Sequence, residues 1–183
     1  THAIESYTSR QAHFLSESIS IEAIRMISAY LRQAVYQGDE LDARSFMLKG
    51  SYLAGLGLAM SGVGAVHALA YPLGALFDIP HGIANALLLP YVMEYNFPGD
   101  MEKYAIISEV MEAKGLDLSM RDAAAYAAQA VRELSRDIGI PQTLEQINIP
   151  EQAIPEMAQG AVKIDRPMMN NPRPMGIQDI EEI

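Results

Sequence analysis

The stretch from Gly50 to Phe77 contains no Asp, Glu, Lys or Arg. Its length satisfies the rule for a membrane span, so it sets the first choice for any fold. Yet it carries glycines at 50, 55, 57, 62, 64 and 74, together with Ser51, Tyr52, Ser61, His67, Tyr71 and Pro72. No basic cluster or aromatic belt marks an interface at its ends. A helix apolar on all sides equally suits the buried centre of a helical bundle. Gly55, Gly57, Gly62 and Gly64 then let neighbouring backbones approach closely. We therefore read the segment as core and expect no membrane contact.

Around this segment the pattern is helical, and no run of period-two alternation bounded by turn residues reads as a strand. Ile19, Ile24, Ile27, Leu31 and Val35 place a helix over 18–37, which Gly38 and Asp39 end. Further helices are expected over 42–61, from Gly64 to Tyr71 with a continuation past Pro72 to Phe77, over 81–94, 101–112 and 119–138, and over 150–164. Pro167, Pro172, Pro174 and the adjacent Asn170 and Asn171 make 165–177 an extended tail, and a helix begins at Asp179. The opening residues, Thr1 to Tyr7, read as the middle of an amphipathic helix, which suggests a part upstream. The chain has 183 residues, enough for a single domain with a substantial core. With no Trp, four Phe and eleven Met, the interior must be filled by aliphatic residues and adaptable Met, which suits helix on helix.

A net charge of −10 makes nucleic-acid binding an unsuitable role. The absence of cysteine excludes disulfides and thiol metal sites and is compatible with a reducing compartment. We expect a cytoplasmic protein.

Chemistry, if present, rests on histidine. Of the four, His13 has polar neighbours, Arg10, Gln11 and Ser16, and reads as solvated. His67 lies inside the charge-free stretch, His81 follows Pro80 near a helix start, and His2 lies on the first helix. An imidazole in an apolar interior is costly unless both ring nitrogens find partners. His67 and His81, separated by a helix break, can fold back to face one another, and a third imidazole from a distant helix completes a nitrogen face for a divalent metal. At a helix N-terminus the dipole favours the neutral ring of His81, the form that binds metal. A lone buried His is more often a hydrogen-bonded core residue, and on the residues alone both readings stand.

The stretch from Gly62 to Asn96, with Gly-Ala-Val-His-Ala-Leu-Ala-Tyr-Pro-Leu-Gly around His67 and Asp-Ile-Pro-His-Gly-Ile-Ala-Asn-Ala around His81, closely resembles the signature of iron-containing alcohol dehydrogenases. Thr-His-Ala-Ile-Glu-Ser-Tyr at the start resembles that family's first metal-binding helix, and Asn171-Pro172-Arg173 its C-terminal Asn-Pro-Arg element. The resemblance runs over nearly the whole chain. It implies an all-α domain, a bundle of about seven helices like the α domain of dehydroquinate synthase. It implies that His2, His67 and His81 bind the metal with an Asp four residues before His2, upstream of Thr1. It also implies that an α/β nucleotide-binding domain lies outside this chain, so that these residues bind no NAD(P) and are inactive alone.

The activity implied is oxidation of a small alcohol or reduction of an aldehyde or ketone. The metal, Fe2+ by family habit or Zn2+, polarises the substrate oxygen while hydride passes between the carbinol carbon and NAD(P). Family members often self-associate, so a homo-oligomer is expected. Two residues depart from the family pattern. Tyr71 stands where many members carry a second His, and is either a substrate- or cofactor-facing residue or a packing replacement. Met60 stands where Asn is common. The alternatives are a zinc-dependent polyol or glycerol dehydrogenase domain and a non-catalytic helical module whose histidines are core residues.

Overall fold

The computed structural model describes residues 1–111 and 117–183. Among these residues there is no strand. The α-helices are α1 (His2–Thr8), α2 (Phe14–Tyr36), α3 (Leu41–Ser61), α4 (Ala65–Phe77), α5 (His81–Asn96), α6 (Met101–Met111), α7 (Met120–Asp137), α8 (Ile154–Ala161), α9 (Asp165–Asn170) and α10 (Ile177–Glu181). The number exceeds the expected seven or so because the short helices α1, α9 and α10 add to the seven longer ones, and of these only α9 falls where no helix was expected. The expected end of α6 at Glu112 lies outside the described residues.

The long helices pair as sequence neighbours: α2 packs along α3, α6 along α7 and α4 against α5. The short α1 lies across α2 and α3, while α8 closes over α4. Tyr104, Leu73, Met93, Ile107, Val66 and Val92 are the largest fully buried side chains and mark the centre of the core. No single helix among the described residues is long and apolar enough to cross a membrane. Helices α3 and α4 are long and apolar enough only together, and they are bent by 104° at their junction.

That bend divides the charge-free stretch. The α4 half is buried from Ala65 to Ala70. The α3 half is buried on one face only, at Gly50, Ala54, Gly57 and Ser61, whereas Ser51, Tyr52, Ala59 and Met60 are exposed. The expectation of a uniformly buried stretch is therefore corrected. Lack of charge gives a helix no preferred face, and packing against α1 and α2 selects one. Gly57 shows why the contact face needs small residues. A Cβ there would stand 2.3 Å from Ser20 Oγ and 2.8 Å from Ser6 Oγ. Those two hydroxyls are bonded to each other at 2.8 Å, and Ser61 Oγ donates to the Ser6 carbonyl at 2.9 Å, tying α1 to α2 and α3. Gly55, expected at a similar contact, has no atom within 4 Å of a would-be Cβ.

Helix α4 continues through Pro72 and α5 through Pro90. The tail is not extended throughout: Asp165–Asn170 is helical despite Pro167. Pro167 falls in the first turn, where a backbone N–H has no partner within the helix and its loss costs little. The α9 helix is tied back by Asn170, whose carbonyl accepts the Arg10 N–H at 2.8 Å and whose side chain donates to the Val63 carbonyl at 3.3 Å.

Candidate metal centre

The fold brings the three singled-out histidines together at helix starts. His2 opens α1, His67 lies in the first turn of α4, and His81 opens α5. The ring centroids of His2 and His67 are 4.9 Å apart with planes 17° from parallel. Those of His67 and His81 are 5.2 Å apart, tilted by 58°. His67 is buried, His2 half-buried and His81 exposed. His13 is apart from this cluster, exposed at the start of α2. Burial, followed by the neighbouring His67 ring, pushes the pKa of His2 down to about 4. Its ring is thus neutral at neutral pH and keeps the lone pair a metal needs.

Behind His67 sits a carboxylate that sequence reasoning did not single out. Glu5, only 5% exposed, is hydrogen-bonded through Oε2 to His67 Nδ1. Its other oxygen accepts the Val66 N–H at 2.7 Å. A carboxylate partner makes Nδ1 the protonated nitrogen, so the Nε2 lone pair is the one left to donate. Carboxylates placed behind ligating imidazoles in this way fix the tautomer and ring direction. Asn171 serves the same helix end. Its Oδ1 accepts the Ala65 N–H at 3.2 Å and the Asn96 amide at 2.8 Å, while its Nδ2 donates to Asn96 Oδ1 at 2.7 Å. Glu5 and Asn171 together satisfy backbone donors at the start of α4 that a helix cannot satisfy itself. The Asn-Pro-Arg element thereby reaches the helix that carries His67.

On the other side, Asn85 donates through Nδ2 to the His81 carbonyl at 2.8 Å. Its Oδ1 is buried with no hydrogen-bond partner among the described residues, an acceptor one helical turn from His81. The Tyr71 ring stacks on His81 at 6.1 Å and 18°, with the residue 44% exposed. Met60, at the end of α3, is exposed.

Among the described residues no three His, Asp or Glu side chains already enclose a cation position. The ring planes explain this. Imidazole lone pairs lie in the ring plane, and the near-parallel rings of His2 and His67 hold theirs side by side rather than aimed at one point. The donors nevertheless match a divalent cation in kind: three imidazoles, one kept neutral by burial and one with its tautomer set by Glu5.

The profile of the Fe-containing alcohol dehydrogenase family, C-terminal, matches residues 1–183. The chain is 45% identical over its full length to 1,3-propanediol dehydrogenase of Citrobacter freundii, covering 47% of that protein. It is 43% identical over its full length to lactaldehyde reductase of Escherichia coli (strain K12), again covering 47%. A crystal structure of 1,3-propanediol oxidoreductase superposes with a TM-score of 0.96 at 43% identity, covering 100% of this chain and 47% of the other. The chain thus spans about half the length of the curated relatives it matches.

Proposed function

The chain belongs to the Fe-containing alcohol dehydrogenase family, and from that premise we propose that it is the metal-binding half of an NAD(P)-dependent enzyme that interconverts a small alcohol with its aldehyde or ketone. His2, His67 and His81 would hold Fe2+ or Zn2+, with a carboxylate from outside these residues as a fourth ligand, and a nucleotide-binding domain outside this chain would hold the nicotinamide. When bound, such a cation supplies Lewis-acid polarisation of a hydroxyl or carbonyl oxygen, and the nicotinamide accepts or returns the hydride.

The chain's own residues prepare the site. Glu5 holds the His67 ring in the tautomer that presents Nε2, and Asn171 holds the helix end beneath it. The buried first turns of α4 keep water from the inner side of the cluster, which strengthens electrostatic interactions there. Tyr71 walls the outer side beside His81. We take the enzyme to be cytoplasmic and homo-oligomeric, with no nucleic acid as partner.

The observation that carries this reading is the meeting of three imidazoles, from positions 2, 67 and 81, with a buried carboxylate behind the central one. The full-length protein should retain about one divalent cation per subunit, as single-metal Lewis-acid enzymes do. His67→Ala and His81→Ala should each remove it together with alcohol oxidation. Unchanged metal content and activity in both variants end the proposal.

A further inference from the structure

A hollow lies beside the histidine cluster, on the other side of Tyr71. It encloses about 440 Å3 between the end of α3, the middle of α4 and α9, and Leu58, Val63, Tyr71, Arg166, Pro167 and Asn170 line most of it. Tyr71 is the shared wall, since the same ring stacks on His81. Apart from Tyr71 and the Asn170 amide, the lining is apolar, and Arg166 is its single charged side chain.

The position of Arg166 runs against the character of the chain. Asp and Glu number 23 against 13 Lys and Arg, yet no carboxylate lines this hollow. Elsewhere Arg25, Arg32, Lys103 and Arg132 each face a carboxylate. Arg166 makes no hydrogen bond or ion pair among the described residues. A guanidinium over an apolar-walled hollow is suited to bind an anionic oxygen group in two-pronged fashion.

We propose that Arg166 is a specificity residue: it receives the anionic end of a substrate whose hydroxyl or carbonyl carbon lies at the histidine cluster. The substrate class is then alcohols and aldehydes that carry a carboxylate or a similar anionic group a few carbons from the reacting carbon, rather than neutral diols. This rests on the reading of the cluster as the reaction centre. Tyr71 borders both the hollow and His81, so its ring lines the path between the two ends.

The test compares succinic semialdehyde with butanal, which has the same chain length and no charge, as substrates of the full-length enzyme with NADH and NADPH. Wild type should show the higher kcat/KM with succinic semialdehyde. Arg166→Ala should lower that value by about tenfold or more, chiefly through KM, as loss of a charge-assisted contact does. Butanal should change by less than about twofold, and Arg166→Lys should restore part of the loss. Equal kcat/KM for the two aldehydes in wild type overturns the assignment while leaving the dehydrogenase reading intact. So does a loss in Arg166→Ala shared by both aldehydes and traced to a raised KM for the nicotinamide. No reduction of either aldehyde, or of any neutral alcohol's carbonyl product, by the wild-type enzyme removes the dehydrogenase reading and this proposal with it.

Discussion

Helices α3 and α4 share the same charge-free stretch and meet opposite fates. In α4 the residues from Ala65 to Ala70 are buried, and the helix start is held by Glu5 and Asn171. In α3 one face packs on α1 and α2, while Tyr52, in line with Leu41 and Leu48 from the part of the helix before the stretch, is exposed along the other. Composition alone does not separate the two. What separates them is position: α3 lies with one face outward, whereas α4, which carries His67, is covered on all sides over its first turns and capped by buried polar groups from α1 and the C-terminal tail. The lesson is that an absence of charge permits burial without requiring it, and that buried hydrogen bonds anchor the helix that carries His67.

Substitutions can break or sharpen this contrast. The largest effect is expected in α4. Leu73→Ala, at a residue 1% exposed, should cost about 2–5 kcal/mol. Leu48→Ala, on the outer row of α3, should stay within about 0.5 kcal/mol. Urea unfolding of the two variants measures both. A cost at Leu48 above about 1 kcal/mol would show that another part of the full-length protein covers this row.

Next comes Glu5→Ala, which strands the His67 Nδ1–H and the Val66 N–H in the interior. It should cost about 1–3 kcal/mol and weaken metal binding about 10- to 100-fold, as loss of an outer carboxylate partner does elsewhere. Calorimetric titration of the metal-depleted protein with Zn2+ reads the second effect. Undiminished affinity would reduce Glu5 to a packing role.

The smallest effects contrast the two faces of α3 itself. Gly57→Ala drives a methyl into Ser20 and Ser6 and should cost about 1–3 kcal/mol by overpacking. Gly55→Ala meets open space and should add about 0.5–1 kcal/mol through helix propensity. Thermal unfolding of the pair gives opposite signs if the assignment of faces is right.

Much of this was legible beforehand. The all-helical class followed from apolar spacing near 3.6 in α2 and from the opening of α7, where Ser119 accepts the Asp122 N–H as a cap should. The long helices fell within a few residues of their expected spans. The tail did not, because Pro167 looks like a breaker unless one knows that it sits in a first turn. The outward face of α3 was hidden because a charge-free sequence has no polar side to mark. At the site, the gathering of the histidines could be anticipated from the motifs around His67 and His81. The role of Glu5 could not, since its partner lies 62 residues away. The available signal was a lone acid among Ala3, Ile4 and Tyr7, three residues after His2 on the same helix face. Arg166 gave no signal at all, because nothing in the tail's sequence tells which cavity it borders.

Anomalous diffraction at the metal edge, from crystals of the full-length protein grown with Zn2+ or Co2+, bears most directly on the central claim. A single strong peak is expected about 2.0–2.1 Å from one nitrogen of each of His2, His67 and His81, with Glu5 still bonded to Nδ1 of His67. A peak elsewhere in the molecule, or three rings left as a stacked cluster with no metal among them, would contradict it.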